Sequence, residues 1–417
     1  MNQPALHRPP QPAFWRNLRD LPQALSLSAV VAGFLVVLVG YTGPLLILLQ
    51  AARAGGLTDA QTASWLWAAT VGNGITTMLL SLRYRQPLTA PWSTAGVALL
   101  VTSLAQYTLP QAVGAYLLCA LAVMLLGASG LFGRVMALIP QPVVQGMLAG
   151  ILLRFGIGLF TTLPERPLMV IAMIGVFFGL KRLQFRAPTL GALIIGVVLA
   201  AAGGEIHLDQ VALTLTVPQI TLPEFTPDAA LSLALPLVLL ALSSQYAPGQ
   251  AVLLAAGYRA PINGILVITG GASLVWGLFG GHGVTLGALL AALVTGPDAH
   301  PDPDRRYAAA WASGAWYVLF GLFGATVMSL FAGFPAALVA AVAGLALSGT
   351  ITGALTGALA VPEGREGATV AFLCAAANFT LLGIGAPFWG LVAGIAVHLL
   401  LRYGRPAAPA AVKDDAA

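Results

Sequence analysis

Charge is what this sequence has least of. Only 8% of its 417 residues are Asp, Glu, Lys or Arg, against roughly 25% in an average soluble domain, while 58% are hydrophobic. An ordinary globular enzyme is excluded. Cysteine is nearly absent as well: Cys119 and Cys374 each sit inside an apolar run with no metal-ligand spacing, so neither a disulfide framework nor a zinc site is expected. Gly-x-Ser-x-Gly, Walker-loop and His-Glu-x-x-His motifs are all missing. Intramembrane hydrolysis and ATP-driven pumping therefore lack their chemistry, and no cofactor is implied. The formal charge of +5 does not indicate nucleic acid, because the basic residues are scattered singly or in pairs and form no stripe.

Long apolar runs fill the chain instead. At about 20 apolar residues per bilayer crossing, its length leaves room for about 12 to 15 crossings and no sizeable soluble domain. Gly (48) and Pro (28) are frequent. Membrane helices tolerate them where neighbours or cavity water satisfy the freed backbone groups, so broken helices are expected. The first run is too long for a signal-peptide core and lacks a small-residue cleavage site, which makes it an anchor helix. Reading runs between Pro, Gly and charged punctuation gives an all-α polytopic membrane protein of fourteen spans. They fall near 25–50, 60–82, 92–105, 111–131, 141–160, 167–181 and 188–203, then 229–256, 262–279, 283–295, 307–330, 336–359, 367–382 and 386–402.

With both termini on one side, the loops on that side carry Arg8, Arg16, Arg19, Arg83, Arg85, Arg134, Lys181, Arg182, Arg186, Arg259, Arg305, Arg306, Arg365, Arg402, Arg405 and Lys413. Only Arg53 and Arg166 fall in opposite loops, and Arg154 lies near the outer end of the fifth span. The positive-inside rule then puts both termini in the cytoplasm, and an odd span count would scramble the split. The halves also echo one another. Tyr41-Thr-Gly-Pro matches Tyr246-Ala-Pro-Gly, Thr94-x-Gly96-x-x-Leu99 matches Thr285-x-Gly287-x-x-Leu290, and Gly114-Ala-Tyr116 matches Gly314-Ala-Trp316. Each echo pairs span n with span n+7. Seven is odd, so the halves enter the membrane in opposite directions, as an inverted repeat.

Spans three and ten are short and open on breakers, Gln86-Pro-Leu-Thr-Ala-Pro91-Trp92 and Gly280-Gly-His282-Gly283, at corresponding places in the two halves. That combination points to the binding site. If Ser93 and Thr285 begin half-helices, two sets of free N–H groups face each other and can hold an anion such as a carboxylate. The competing reading, that the breakers only kink two packed helices, does not account for their symmetric placement.

All fourteen acids fall in loops or tails, so a carboxylate-based sodium site is disfavoured. The polar groups left at membrane depth are Tyr41, Thr42, Asn73, Trp92, Ser93, Thr94, Ser243, Ser244, Gln245, Gln250, His282, Thr285 and Asn378. Gln245 stands out in span eight, because its amide donates and accepts beside helix-loosening Pro248 and Gly249. His282 is the proton-coupling candidate, having a reference pKa of about 6.5. Arg154 is read as snorkelling to water.

At Pro91-Trp-Ser-Thr-Ala-Gly-Val-Ala-Leu-Leu, at Ser244-Gln-Tyr-Ala-Pro-Gly-Gln-Ala-Val-Leu and at Gly281-His-Gly-Val-Thr-Leu-Gly-Ala, the chain resembles the benzoate/proton symporter (BenE) family of bacterial inner membranes. The resemblance runs from about residue 20 to 402. Such symporters are similar in fold to nucleobase transporters and sulfate/anion exchangers. The resemblance implies a seven-plus-seven inverted repeat with a core domain (24–135 and 227–332) and a gate domain (136–226 and 333–403), flanked by cytoplasmic tails 1–23 and 404–417. It also implies a substrate site of Tyr41, Thr42, Trp92, Ser93, Thr94, Ser244, Gln245, Gly283, Val284 and Thr285, beside His282. Where the nucleobase relatives are expected to carry carboxylates in spans eight and ten, this chain has Ser244, Gln245 and Val284. That favours an anionic substrate over a uracil-like base.

The expectation is proton-coupled, elevator-type import of an aromatic carboxylate such as benzoate across the bacterial inner membrane. The partners are the substrate, protons and the lipid bilayer, with a homodimer through the gate domain where residues 336 to 359 are rich in Gly and Ala. The alternatives are a nucleobase or anion transporter of the same fold and a passive anion channel.

Overall fold

The computed structural model describes residues 14–42, 44–185, 187–206, 213–382 and 384–402, apart from the side chains of Thr42, Ala288, Leu289, Ala332 and Arg402. Arg8, Arg186, Arg405 and Lys413 lie outside the described residues.

The chain is mostly helical. A surface helix α1 (Phe14–Ala24) leads into α2 (Leu27–Thr42) and α3 (Pro44–Ala54), followed by α4 (Asp59–Tyr84), α5 (Thr94–Ser103) and α6 (Leu109–Ser129). A short α7 (Phe132–Leu138) precedes α8 (Gln141–Thr161), α9 (Pro167–Arg182) and α10 (Pro188–Ala202). The second half contains α11 (Pro227–Ala255), α12 (Ile262–Gly277), α13 (Ala288–Val294), α14 (Tyr307–Leu322) and α15 (Gly324–Ala332). It ends with α16 (Ala336–Leu359), α17 (Arg365–Ala377) and α18 (Ala386–Arg402).

Local chemistry sets these boundaries. Thr58 and Gln61 close a capping box at the start of α4, and Thr108 with Gln111 does the same for α6. Proline stands in the first turn of α8, α9, α10 and α11, where its missing N–H has no intrahelical acceptor to lose. Helix α11 contains two π-helical turns, Ala230–Ala234 and Leu242–Tyr246. Each ends two residues before a proline, Pro236 and Pro248, whose absent N–H leaves the carbonyl four residues back without its helical donor.

Among the described residues, five helices are long and apolar enough to cross a membrane by themselves: Leu27–Ala54, Leu109–Ser129, Gln141–Thr161, Pro227–Ala255 and Ala336–Leu359. Their outward faces and those of the shorter helices expose Ile157, Phe160, Ile171, Phe178 and Ile194, side chains at home in lipid tails. Helix packing relies on small residues, as expected where lipid removes the hydrophobic drive between helices. A Cβ on Gly74 of α4 would lie 2.4 Å from the Gly314 carbonyl of α14, and one on Gly150 of α8 would lie 2.4 Å from the Phe372 carbonyl of α17. Besides those pairs, α6 packs on α12, α8 on α16, α9 on α10 and α17 on α18.

Three boundaries differ from the sequence reading. The span placed at 307–330 is broken, with the helices on either side of Phe323 meeting at 71°. The span placed at 367–382 stops at Ala377, where Asn378 turns left-handed (φ 50°) into a small hairpin, β1 (Thr380–Leu381) with β2 (Ile384–Gly385), so Asn378 is an exposed helix cap. The helix of 283–295 begins at Ala288, not at Thr285.

Candidate functional site

Two extended segments interrupt the helices and cross each other. Residues 86–93 precede α5, and residues 281–287 precede α13. They pair antiparallel through Trp92 and Val284. The Thr285 N–H donates to the Pro91 carbonyl (2.8 Å) and the Gly287 N–H to the Thr89 carbonyl (3.0 Å), while the Thr285 hydroxyl also reaches Pro91 O (3.1 Å). The Ala90 N–H donates to Thr77 Oγ1 of α4 (2.8 Å), and the Val284 N–H donates to Ser273 Oγ of α12 (2.9 Å). Backbone groups that a broken helix would leave bare are thus bonded to the opposite break or to a neighbouring hydroxyl, as a dry interior demands. The crossing also explains the late start of α13: pairing with residues 89–92 holds Val284 to Gly287 in an extended conformation, with Gly287 at φ −79° and ψ 121°, so the helix begins only at Ala288.

The crossing leaves no room for larger residues. Gly283 has φ +105°, and a Cβ on Gly287 would lie 2.5 Å from Pro91 Cγ. On the far side, Ser93 caps α5 by accepting the Gly96 N–H on Oγ (3.0 Å) and the Val97 N–H on its carbonyl. The first-turn amides of Thr94 and Ala95 have no intrahelical acceptor.

Beside this crossing lies a cavity of about 240 Å³. The breaks contribute Pro91, Trp92, Thr94, Ala95, Gly287 and Leu290; α11 contributes Ser244 and Gln245; α2 and α3 contribute Val39, Gly40, Pro44 and Ile47; and α14 contributes Tyr317. The opposite wall comes from Thr189 of α10 and Ala346, Leu347 and Thr350 of α16. No charged side chain is among them. The volume falls below the roughly 300–1,000 Å³ of drug-sized pockets, which suits a single-ring ligand. Trp92 stands edge-on to Tyr317, centroids 6.0 Å apart at 78°, and its buried indole N–H has no hydrogen-bond partner. Ser244 Oγ donates back to the Leu240 carbonyl, whereas the Gln245 amide makes no hydrogen bond among the described residues.

A second void of about 20 Å³, the size of one water, lies behind the crossing. Ser93, His282, Gly283, Val284 and Thr285 line it together with Tyr116 and Cys119. The Trp65 indole donates to His282 Nδ1 (3.1 Å), and His282 Nε2 faces the Ser93 carbonyl (3.3 Å). An indole N–H only donates and a carbonyl only accepts, so His282 is neutral with its proton on Nε2.

Of the residues singled out from sequence, Trp92, Thr94, Ser244 and Gln245 meet at the larger cavity, and Ser93, His282, Gly283, Val284 and Thr285 meet at the smaller void. Tyr41 packs behind Tyr317 and Phe320, at 6.0 and 5.8 Å. The side chain of Thr42 lies outside the described residues. Sequence reasoning missed Tyr317, although it adjoins the Gly314-Ala-Trp316 echo. It also missed Thr189 and Thr350, whose only signal is a hydroxyl in an apolar helix.

The profile of a family described as benzoate membrane transport protein matches residues 23–400. The chain belongs to the benzoate membrane transport family. It is 38% identical over 384 residues to the benzoate membrane transport protein of Acinetobacter baylyi, covering 92% of this chain and 98% of that one. It is 41% identical over 372 residues to the inner membrane protein YdcO of Escherichia coli K12, covering 89% and 95%. The fold of this family member is similar to the transmembrane domain of the cyanobacterial bicarbonate transporter BicA (TM-score 0.59, 15% identity, 94% of this chain and 99% of that one). It is also similar to SLC26A9 (TM-score 0.61, 12% identity, 93% and 67%). The chain is thus a membrane transport protein and not an enzyme.

Proposed function

We propose that this family member is a secondary active transporter importing an aromatic carboxylate such as benzoate together with protons. The observation that carries the reading is the uncharged, ring-sized cavity walled by Trp92 and Tyr317 on one side and by α10 and α16 on the other. A flat apolar ring fits beside the two aromatics, where edge-on contacts add about 0.5–1.5 kcal/mol beyond burial. The carboxyl group reaches the Gln245 amide and the first-turn amides of α5.

The cavity lies between two helix groups, and relative sliding of those groups would carry it across the membrane as an elevator. The moving core is residues 24–135 and 227–332; the gate is residues 136–226 and 333–403. Fourteen spans in a seven-plus-seven inverted repeat are supported by the packing, because contacts recur when span n is replaced by span n+7. The α4–α14 pair corresponds to α12–α6, α9–α10 to α17–α18, α3–α5 to α11–α13, and α2–α14 to α11–α6. Both termini face the cytoplasm on the charge distribution. The open face at Gly349 and Gly353 of α16 supports a gate-domain homodimer.

Uptake of labelled benzoate into proteoliposomes under an imposed inward proton gradient tests the reading. Accumulation above the external concentration, abolished by an uncoupler, is the expected result. Equilibration without accumulation or saturation would make the protein a channel, and no uptake by well-folded protein would sink benzoate as substrate.

A further inference from the structure

We propose that the species carried is the neutral carboxylic acid, paired with the Gln245 amide in a two-hydrogen-bond ring, so that the substrate itself holds the coupled proton. The inference rests on the transporter reading above and adds which protonation state is recognised and by which group.

Symport needs a group that takes up a proton on one side and releases it on the other. Among the described residues that line the cavity, the Tyr317 phenol alone titrates, and its hydroxyl donates to the Val36 carbonyl. Tyr41 behind it is also a phenol, a group that keeps its proton throughout the physiological range. Around the smaller void stand His282, Tyr116, Cys119 and Tyr246. Trp65 and the Ser93 carbonyl occupy both ring nitrogens of His282, and the Tyr246 hydroxyl is bonded to Thr269 (2.6 Å). A second proton on His282 Nδ1 would point at the indole N–H. With the described lining residues, the one group in the larger cavity that titrates in the ordinary carboxylate range is the substrate's own.

The donor set agrees. An ionised carboxylate only accepts hydrogen bonds and needs a countercharge when removed from water. The described residues of this cavity supply none beyond the fractional charge of the α5 N-terminus. A primary amide presents an N–H donor and a C=O acceptor side by side, the complement of the C=O and O–H of a carboxylic acid. Gln245 lines the cavity from the π-helical turn of α11, and its amide is uncommitted among the described residues. The carboxylate would leave the Gln245 carbonyl facing an oxygen, whereas the acid satisfies both ends. The acid enters from outside with its proton and dissociates in the cytoplasm, releasing one proton per substrate without any covalent step.

Equilibrium binding of labelled benzoate to the purified full chain, with benzamide and benzenesulfonate as competitors, decides the question. If the acid alone binds, the apparent Kd of benzoate rises about tenfold per pH unit above the substrate's own pKa. Benzamide, which mimics the neutral acid, should displace benzoate with a pH-independent Kd, and the permanently ionised sulfonate should fail. Gln245→Leu should weaken benzoate and benzamide together by at least about tenfold, the worth of a lost hydrogen-bonded pair. A benzoate Kd flat with pH, displacement by the sulfonate, or a benzamide Kd that climbs in step with that of benzoate would each overturn the proposal, the last by placing the proton on the protein. Absence of benzoate binding at every pH, by protein that still melts cooperatively, would overturn the substrate reading itself and is thereby distinct from these outcomes.

Discussion

At Gly283 and Gly287 the backbone decides what the side chain can be. Gly283→Ala forces a Cβ onto a φ of +105°, and Gly287→Ala drives one into the Pro91 ring. Each should cost about 1–3 kcal/mol, read as a lowered melting temperature in detergent with a parallel loss of uptake. Trp65→Phe tests the neighbouring bond: it removes the donor to His282 Nδ1 while keeping an aromatic ring in place. The orphaned nitrogen should cost about 1–3 kcal/mol of stability, seen in the same melting assay. The sequence showed that glycine and histidine interrupt an apolar run at 280–283. It could not show that Trp65, 217 positions away in sequence, holds the histidine, because hydrogen bonds across the bundle leave no local pattern.

On the scale of single elements, Pro248 shapes the site without lining it. Its missing N–H leaves the Ser244 carbonyl without a helical donor, and the π-helical turn Leu242–Tyr246 presents Ser244 and Gln245 to the cavity. Pro248→Ala should restore the regular ladder, raise the melting temperature and cut benzoate uptake by at least about tenfold, the usual opposition of stability and a strained site. A variant that melts higher and transports normally would show that the π-turn is not needed. Pro248 and Gly249 were legible as loosening signals, and the short helices after the two breaks were expected from the same reasoning. What sequence misplaced was the start of α13, because the cross-pairing of Thr285 with Pro91 is not local.

For the whole molecule, orientation is the first thing to test. Among single-cysteine variants, Arg182→Cys should react with an impermeant thiol reagent only in inside-out vesicles, and Glu165→Cys only in right-side-out ones. The opposite pattern would invert the topology. The proposed sliding of core against gate makes its own demand. Ile47 and Thr350 line the cavity from opposite helix groups, so a bifunctional reagent joining Ile47→Cys to Thr350→Cys should arrest uptake while leaving the melting temperature unchanged or higher. Transport that continues through the cross-link would exclude an elevator between these groups.

Sequence alone determined the membrane class, the approximate course of most helices and the two breaks, because hydrophobicity, proline and glycine act within a few residues of themselves. Only the tertiary structure decided that the breaks cross and pair, that His282 turns into a small void bonded to Trp65, and that the facing wall of the cavity is Thr189, Ala346, Leu347 and Thr350. Those are meetings between segments far apart in the chain. They are chosen by close packing of small residues and by the need to satisfy every buried backbone group, neither of which can be read from one segment alone.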